Sequence, residues 1–384
     1  MPKCPQSKIA FVVTSPLTLN AFLGHHIRSL SSQFRVTVLT DYRQLPQVVT
    51  LGGAKLVQLP IYRKIHVLRD LVSVIALAKF LRLENFATTI SVGPKAGLVH
   101  SIASWFCPSK SRIHWFTGQV WARKRGPARW FLKVIDRIIS KSMTDCLVDG
   151  HSQKRFLVEN RIGGSDSLHI LLNGSISGVD TRRFKFRLAH RLEFRAHLDL
   201  PLEQVVAIFI GRITREKGAV DFALAAAELE EPLHTIWVGP DEERLTDQIL
   251  ATAVGSNARH HFVGHVSNPE YYLSAADFLV LPSYREGFGT SVIEAACAGL
   301  PAIVSKIYGL HDSVVDGVTG IKVKLGSQIE MVAAIELMMY SKGVRNRLGI
   351  SARRRATRLY SHNLITNEFH QFVSIRTSSP EKFC

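Results

Sequence analysis

The chain has 384 residues, of which 46% are hydrophobic and 21% charged, and its formal net charge is +17 at pH 7. These values are typical of a globular protein and exclude a disordered or collagen-like chain. The length is about twice that of a typical domain, so it predicts two domains. The five cysteines include no Cys-x-x-Cys pair, which favours neither a disulfide framework nor a zinc ribbon and predicts a reducing compartment.

The first half alternates between β-rich apolar runs and helical patterns. This alternation predicts a parallel sheet with helices on both faces. The predicted strands are Ile9–Thr14, Arg35–Leu39, Leu56–Leu59, Thr88–Val92, Arg112–Phe116 and Cys146–Val148. The predicted helices are Ala21–Leu30, Val67–Leu83, Ala96–Trp105 and Ala128–Ser140.

A second series of the same kind begins after residue 175, and it predicts a second doubly wound α/β domain. The strands are Val205–Ile210, Thr235–Val238, His261–Val263, Phe278–Leu281 and Ala302–Val304. The helices are Ala219–Leu229, Tyr271–Ala275, Ser291–Ala298, Ile329–Tyr340 and Val344–Tyr360. Asn173–Arg183 and the polar stretch Phe184–His197 form the predicted junction. We therefore expect domains over 1–175 and 176–360, with 361–384 returning to the first domain.

The excess charge belongs to the first domain. Residues 1–175 hold 24 Lys/Arg and 8 Asp/Glu, whereas residues 176–384 hold 24 and 23. A field of this sign attracts the phosphates of nucleic acid, of anionic lipid or of a phosphorylated substrate, although a basic surface that only confers solubility is the alternative. No apolar run is long enough to cross a membrane, which predicts a cytoplasmic protein.

The segment from Ser283 to Pro301 carries the most chemical information. A predicted strand leads into a loop with Gly287 and Gly289, where the glycines let backbone amides approach a ligand. Thr290 and Ser291 stand where a helix cap is expected, and the helix start favours a phosphate. A tight turn without a ligand is the alternative for such a loop.

Two carboxylates belong to the same segment. Glu286 lies in the loop and Glu294 lies about one turn into the helix, eight positions later. The spacing lets both face one cleft, where one could contact a sugar and the other a ribose.

The segment Gly211–Gly218 lies between a buried strand and a helix. Arg212 ends the strand and Lys217 comes just before the helix, so both can point to one cleft mouth. Arg would hold a diphosphate bidentately, and Lys would hold it as a point charge. An exposed charged loop is the alternative interpretation.

Together the two segments resemble the retaining nucleotide-sugar glycosyltransferases of the GT-B type, family four. Glu286-x7-Glu294 is that family's hallmark, and Ala298–Val304 and Asp316–Gly320 are also similar to it. The resemblance implies two doubly wound Rossmann-like domains that face each other across a cleft, and it implies no required metal. It implies catalytic roles for Glu286, Arg212 and Lys217. The residues it implies for donor binding are Gly211, Arg212, Lys217, Gly287, Phe288, Gly289, Thr290 and Glu294.

Four segments of the first half resemble bacterial capsule, O-antigen and protein-glycan transferases: Pro94–Gly97, Phe116–Trp121, Val148–Gln153 and Asn173–Asp180. The likeness implies a UDP-sugar donor, often an N-acetylhexosamine, and a polyprenyl-diphosphate-linked glycan acceptor at the inner face of the cell membrane. Lys95, Arg123 and His26 are the candidates for binding that acceptor.

A histidine near the end of a central strand often belongs to the active site in this family. His114 is the candidate here, with a core or surface role as the alternative, because strand alternation does not decide which way it points. No cluster of His, Asp and Glu suggests a metal ion.

The predicted helix near 128–140 is basic and amphipathic. Arg129, Lys133, Arg137 and Lys141 recur every four residues beside Trp130 and Phe131. Such a helix can lie in a membrane interface, or it can bury its apolar face against the sheet.

Three functions fit these features. The first is a membrane-associated retaining glycosyltransferase that moves a sugar from a UDP-sugar to a lipid-linked glycan. The second is a nucleic-acid-binding protein, which the charge allows but no binding motif supports. The third is a nucleotide-sugar epimerase of the same architecture, which would not need a basic first domain. The Glu-x7-Glu spacing favours transfer.

Overall fold

The computed structural model describes residues 6–44, 51–62, 66–107 and 109–378. The chain divides into two compact units, one formed by Met1–Ser177 with His362–Cys384 and the other by Gly178–Ser361. The first boundary, 177/178, falls two residues beyond the expected 175/176. The second boundary, 361/362, falls one residue beyond the expected 360/361. Residues 362–384 belong to the first unit.

The first unit is built on a seven-stranded parallel sheet in the order β3-β2-β1-β4-β5-β6-β7. The chain order reverses between β1 and β4, so their carboxyl ends form the point where ligands bind in open α/β sheets. The strands are β1 (Lys8–Val13), β2 (Arg35–Thr40), β3 (Lys55–Gln58), β4 (Thr88–Val92), β5 (Ser111–Phe116), β6 (Asp145–Val148) and β7 (Leu168–Ile170).

Helices cover both faces of this sheet. Ile9, Phe11 and Val13 of β1 pack with the helices Gly24–Ser31 and His362–Ser378, whereas Ala10 and Val12 pack with the helices Val67–Glu84 and Pro94–Phe106 on the other face. Because successive strand residues point to opposite faces, an unbroken apolar strand such as β1 fits this double burial. The helices are α1 (Pro16–Thr18), which continues through a π-helical turn at Leu19–Leu23, then α2 (Gly24–Ser31), α3 (Val67–Glu84), α4 (Pro94–Phe106), α5 (Gly126–Ser142), α6 (His151–Glu159) and α15 (His362–Ser378), with a 3₁₀ turn at Tyr42–Gln44.

The second unit contains a six-stranded parallel sheet in the order β10-β9-β8-β11-β12-β13. Its order reverses between the adjacent strands β8 and β11, where Phe278 pairs with Ala207 and Leu279 with Ile208. The strands are β8 (Val206–Ile210), β9 (Leu233–Val238), β10 (Ala258–Gly264), β11 (Phe278–Leu281), β12 (Ala302–Ser305) and β13 (Gly320–Val323). The helices are α7 (Leu188–His197), α8 (Ala219–Ala227), α9 (Thr246–Thr252), α10 (Pro269–Ala275), α11 (Thr290–Cys297), α12 (Tyr308–His311), α13 (Gln328–Tyr340) and α14 (Lys342–Leu359), with a 3₁₀ turn at Arg215–Lys217.

The expected junction over Phe184–His197 is wrong in part, because Leu188–His197 forms α7. This helix is polar, but its Arg195 side chain is fully buried. Arg195 donates to Asp277 Oδ2 at 2.7 Å and to the carbonyls of Ala275, Pro201, Leu202 and Gln204. A buried guanidinium with five such partners takes the place of the apolar residue that a sequence pattern looks for.

Candidate active site

Two loops meet at the point where the order of the second sheet reverses. Residues 211–218 follow β8, and residues 282–289 follow β11. The loops touch closely, because a Cβ on Gly218 would lie 2.3 Å from the Pro282 carbonyl oxygen. Gly218 also has a φ of +74°, a conformation that glycine adopts at little cost. The sequence therefore needs glycine here on two grounds.

Lys217 and Glu286 join the two loops directly. Lys217 Nζ donates to Glu286 Oε1 at 2.5 Å, and the Ser283 hydroxyl donates to the same oxygen at 2.9 Å. Both charged side chains are largely buried, with 17% and 12% of their surface exposed. Gly309 of α12 packs on the backbone of Glu286, since a Cβ there would lie 2.0 Å from the Glu286 carbonyl oxygen. A cation and a carboxylate are thus fixed together at the edge where the resemblance expects the donor.

A second ion pair joins the same loops and was not expected from the sequence. Arg285 donates to both carboxylate oxygens of Glu216 at 2.7 Å, through Nε and one terminal nitrogen. The Tyr284 amide also donates to the Glu216 carbonyl at 2.9 Å. The available signal was the reversed order of charge, Glu216–Lys217 on one loop and Arg285–Glu286 on the other.

Arg212 lies at the start of the first loop, where it forms an ion pair with Glu242. Its terminal nitrogen donates to Glu242 Oε2 at 2.7 Å, and about a third of each side chain is exposed. Gly211 has a φ of +155°, which L side chains rarely adopt, and it lies against Gly239, where a Cβ would come within 1.9 Å of the Gly211 carbonyl oxygen. The role of Arg212 in holding a diphosphate stays a prediction.

The start of α11 differs from the sequence expectation. The N-cap is Gly289, with a φ of +77°, and no side chain makes a capping hydrogen bond, so the expected cap at Thr290 or Ser291 is wrong. The ring of Phe288 is buried and packs edge-on against Tyr360, with ring centroids 5.2 Å apart. The ring of Phe288 therefore supports the loop from the core, and the place of Phe288 in donor binding stays a prediction. Amides at Gly287, Gly289 and Thr290 remain the predicted phosphate contacts.

Glu294 lies on α11 near Arg183 and Glu270. Burial raises the pKa of its carboxyl to about 7, Arg183 opposes that rise, and Glu270 adds to it. Arg183 itself donates to Glu270 Oε2 at 2.9 Å. The carboxyl of Glu294 is therefore ready to lose a proton when a hydrogen-bond donor or a cation approaches it.

The first unit corrects the expected roles of two histidines. His114 is fully buried, its Nδ1 is hydrogen-bonded to Ser91 Oγ at 2.9 Å, and its ring lies against Gly97. His26 is also fully buried, with Nε2 2.7 Å from the Ile176 carbonyl oxygen and its ring near Phe369. A side chain without solvent access does not meet substrate, so a catalytic His114 and an acceptor-binding His26 are both wrong for this structure.

His114 belongs to a buried polar chain that the sequence did not indicate. Ser91 also bonds to His100 at 3.0 Å, and His100 bonds to Thr89 at 2.8 Å. Burial is the main reason that the pKa values of His100 and His114 are lowered to about 3, with smaller contributions from Arg112 to His100 and from His100 to His114.

We expect both rings to stay neutral between pH 8 and pH 5, whereas a free histidine titrates near 6.5. Long-range ¹H–¹⁵N spectra of the folded protein should show constant ring shifts for the two residues over this range. A midpoint above pH 5 at either ring would contradict the burial argument.

The other acceptor candidates lie in the first unit. Lys95 is the second residue of α4, at the carboxyl end of β4, and it forms an ion pair with Asp70 of α3. Arg123 is exposed in the segment before α5. Both positions are compatible with an anionic acceptor, and both roles remain predictions.

The basic stripe of α5 is turned partly toward the protein. Lys133 donates to the Asn160 side chain, and Arg137 donates to the Asn160 and Arg161 carbonyls. Trp130 and Phe131 are exposed, at 65% and 55%, while Ile139 is buried. The helix therefore buries part of one face and leaves two aromatic side chains at the surface.

Neither a metal centre nor a membrane span is found in the described ranges. They hold no group of three or more His, Cys, Asp or Glu residues that could bind a metal ion. Their helices are all too short or too polar to cross a membrane.

A comparison with protein families finds a match within the second unit. The family described as "Glycosyl transferases group 1" matches residues 190–355, which include both loops and α11. This segment is therefore similar to the domains of that family, and the match covers less than half of the chain. The expected glycosyltransferase resemblance is confirmed at that level.

Two relatives are consistent with that match. The chain is 25% identical over 320 residues to the capsular polysaccharide biosynthesis glycosyltransferase CapM of Staphylococcus aureus, covering 82% of this chain and 84% of CapM. It is 35% identical over 144 residues to the putative teichuronic acid biosynthesis glycosyltransferase TuaC of Bacillus subtilis, covering 35% of this chain and 34% of TuaC.

The fold is similar to sucrose-phosphate synthase from Thermosynechococcus elongatus, with a TM-score of 0.80, 18% identity, and coverage of 96% of this chain and 98% of the other. It is also similar to Anabaena HepE in complex with UDP and glucose, with a TM-score of 0.78, 16% identity, and coverage of 96% and 99%. The expected GT-B fold class is confirmed.

Proposed function

We propose that this chain transfers a hexose or an N-acetylhexosamine from a UDP-sugar to a lipid-linked glycan, with retention of the anomeric configuration, during surface polysaccharide assembly. The observation that carries the proposal is the Lys217–Glu286 pair, which joins two loops at the reversal point of the second sheet. A diphosphate leaving group needs a fixed cation, and a transferred sugar needs a fixed carboxylate that accepts from its hydroxyls.

The donor class is supported by the chemistry of the same loops and by relatives. Lys217, with Arg212 nearby in sequence, provides positive charge, and the amides at the start of α11 favour phosphate oxygens. Glu294 would accept hydrogen bonds from the ribose hydroxyls. Anabaena HepE, a protein of the same fold, is described in complex with UDP-glucose.

Retention follows in this proposal from the leaving diphosphate, which orients the acceptor on the face of the sugar that it leaves. Glu286 holds the transferred sugar and forms no covalent intermediate. Its carboxylate already accepts from Lys217 and Ser283, an arrangement suited to positioning. No metal ion is required, since Lys217, Arg212 and helix amides would supply the positive charge.

The acceptor and its location are supported by the first unit. Lys95 is held by Asp70 on α3, and neighbouring residues of that helix are apolar and exposed. These exposed residues are Val67, Leu68, Leu71, Val72 and Ile75, at 56% to 81%. An apolar surface beside a cation, on a unit with a large excess of Lys and Arg, suits a polyprenyl diphosphate at the inner face of an anionic membrane. Nucleic acid is not a partner in this proposal.

A donor screen tests the proposed reaction. UDP-hexoses and UDP-N-acetylhexosamines are incubated with the protein and a bacterial membrane extract, and released UDP is measured with and without the extract. We expect extract-dependent UDP release from at least one donor and a product with the donor's anomeric configuration by NMR. An inverted product contradicts retention, and epimerisation of the donor without extract would instead favour the epimerase function.

Membrane attachment is tested by reversing the apolar character of α3. We expect sedimentation with anionic vesicles that weakens with salt, because each Lys or Arg near the surface contributes about 1 kcal/mol and screening acts within roughly 8–10 Å. Leu68→Asp together with Leu71→Asp should lower vesicle binding about tenfold or more, since each buried Leu side chain contributes about 1.5–3 kcal/mol.

The matched control is Val254→Asp together with Ile329→Asp, which changes two exposed apolar side chains of the second unit. This variant should bind vesicles like the wild type. Equal binding of the wild type to neutral and anionic vesicles would remove the electrostatic contribution. If Arg129→Glu, Lys133→Glu and Arg137→Glu together leave binding intact, α5 is excluded as the attachment helix.

A further inference from the structure

The two loops of the candidate active site carry two ion pairs side by side. Glu216 pairs with Arg285 and the next residue, Lys217, pairs with Glu286, the residue after Arg285. Each loop carries an acidic and a basic residue in succession, and each of these side chains pairs with a side chain of opposite charge on the other loop. A displacement of Glu216 relative to Arg285 therefore displaces Lys217 relative to Glu286.

The Glu216–Arg285 pair has a geometry that fixes the two loops relative to each other. Arg285 uses two nitrogens on two oxygens of Glu216, at 2.7 Å each, and this forked geometry fixes direction as well as distance. The Tyr284 amide donates a hydrogen bond to the Glu216 carbonyl, which holds the backbones of the two loops together at this point. Burial disfavours the charged forms of both groups, but the ion pair prevails, lowering the pKa of Glu216 and raising that of Arg285.

The Lys217–Glu286 pair needs neighbouring contacts that hold its side chains in place. The Thr214 hydroxyl accepts from the Lys217 amide at 3.3 Å, which fixes the backbone of a 3₁₀ turn, but the Lys217 side chain has four rotatable bonds. In the resting protein its ammonium is bonded to Glu286, and the proposed function requires that ammonium at the donor diphosphate. A loop that shifted by an ångström would move the cation away from the phosphate position.

We propose that Glu216 and Arg285 are a positioning pair that sets the placement of Lys217 and Glu286 and does not itself contact the donor. This inference rests on the proposed function, because it assumes that Lys217 meets the diphosphate. It assigns to Glu216 and Arg285 a role in donor affinity and turnover through their neighbours. Arg285 is therefore not interchangeable with Lys, which lacks the second nitrogen of the fork.

The test measures UDP affinity by calorimetry and UDP release from the donor found in the screen, using the full chain. Glu216→Gln and Arg285→Lys should each weaken UDP binding about 5- to 20-fold, the scale of a coupled network contact. Glu216→Arg should weaken binding further through repulsion with Arg285. The exchange Glu216→Arg with Arg285→Glu should recover binding to within about threefold of the wild type.

A double-mutant cycle separates positioning from a general structural role. In the Lys217→Ala background, Glu216→Gln should change UDP affinity by less than about twofold, because the group through which it acts is gone. Additive losses in the cycle would overturn the proposal, as would wild-type affinity in both single variants. Thermal melting of each variant identifies a loss that comes from unfolding, and the charge exchange then decides.

Glu84→Gln is the matched control. Glu84 forms a similarly exposed ion pair with Lys8 at 2.7 Å in the first unit, so its loss should leave UDP affinity unchanged. The failure of the proposed function would look different from the failure of this inference. If Lys217→Ala itself leaves UDP binding intact, the donor assignment falls; if Lys217→Ala weakens binding and the cycle is additive, only the positioning role falls.

Discussion

Lys217→Ala is expected to lower kcat/KM by about 30- to 1000-fold, because loss of one preorganised charge contact costs about 2–4 kcal/mol in transition-state stabilisation. The ammonium of Lys217 is largely buried against Glu286, and its removal has a second effect. It leaves the Glu286 carboxylate without its cation beside the proposed donor site, where the charge would repel an anionic donor. The measurement is UDP release as a function of donor concentration, with UDP affinity determined separately.

Two variants make this prediction specific. Adding Glu286→Gln to Lys217→Ala should recover part of the lost UDP affinity, because it removes the repulsive charge. Arg215→Ala is the matched control, since Arg215 is a cation of the same loop whose exposed side chain donates to Gln248 at 2.6 Å. It should change kcat/KM by less than about twofold. Near-wild-type activity of Lys217→Ala would remove the donor assignment.

Arg212→Ala should have a smaller effect than Lys217→Ala. The Arg212 guanidinium is about one-third exposed and is paired with Glu242, so water screens it and the pair competes with the donor. The sequence alone gave no reason to rank the two cations. Their ranking comes from burial, which depends on how the loops after β8, β9 and β11 pack.

Most of the strands could be predicted because their sequence pattern is local, whereas the order of the strands in each sheet was not predicted. Buried parallel strands such as β8 and β11 are unbroken apolar runs followed by glycine or proline, and alternation with helices fixes the parallel arrangement. The short strands β7 and β13 and the polar helices α6 and α7 were not predicted, because they lacked that signal. In α7 a buried Arg195 takes a core position, and its partners are on Asp277 and on distant carbonyls.

The site could be predicted as a set of loops but not as a set of contacts. The spacing of Glu286 and Glu294 indicated the donor domain, yet the pairing of Glu216 with Arg285 depends on the register between two loops about 70 residues apart. His114 shows the opposite case. Its position near a strand end suggested an active-site role, but the ring faces α4, where Gly97 leaves room for it.

Glu294→Ala is expected to weaken UDP binding by about 2–4 kcal/mol, because a carboxylate that accepts from both ribose hydroxyls loses two charge-assisted hydrogen bonds. The prediction has a chemical signature. Wild-type protein should bind 2′-deoxy-UDP and 3′-deoxy-UDP more weakly than UDP, and the variant should bind all three equally. A variant that still discriminates between UDP and its deoxy analogues would show that another group holds the ribose.

The same carboxyl should make donor binding depend on pH. Burial raises the pKa of Glu294 to about 7 in the free protein, and ribose hydroxyls donate best to the ionised form. UDP affinity should therefore fall as pH drops below 7, by at most about tenfold per pH unit, with a proton released on binding at pH 6.5. UDP itself titrates in this range, so the control is Glu294→Gln, an amide that cannot ionise. The difference between the two pH profiles isolates Glu294, because the nucleotide contributes equally to both, and identical profiles would mean that this carboxyl does not change its protonation when UDP binds.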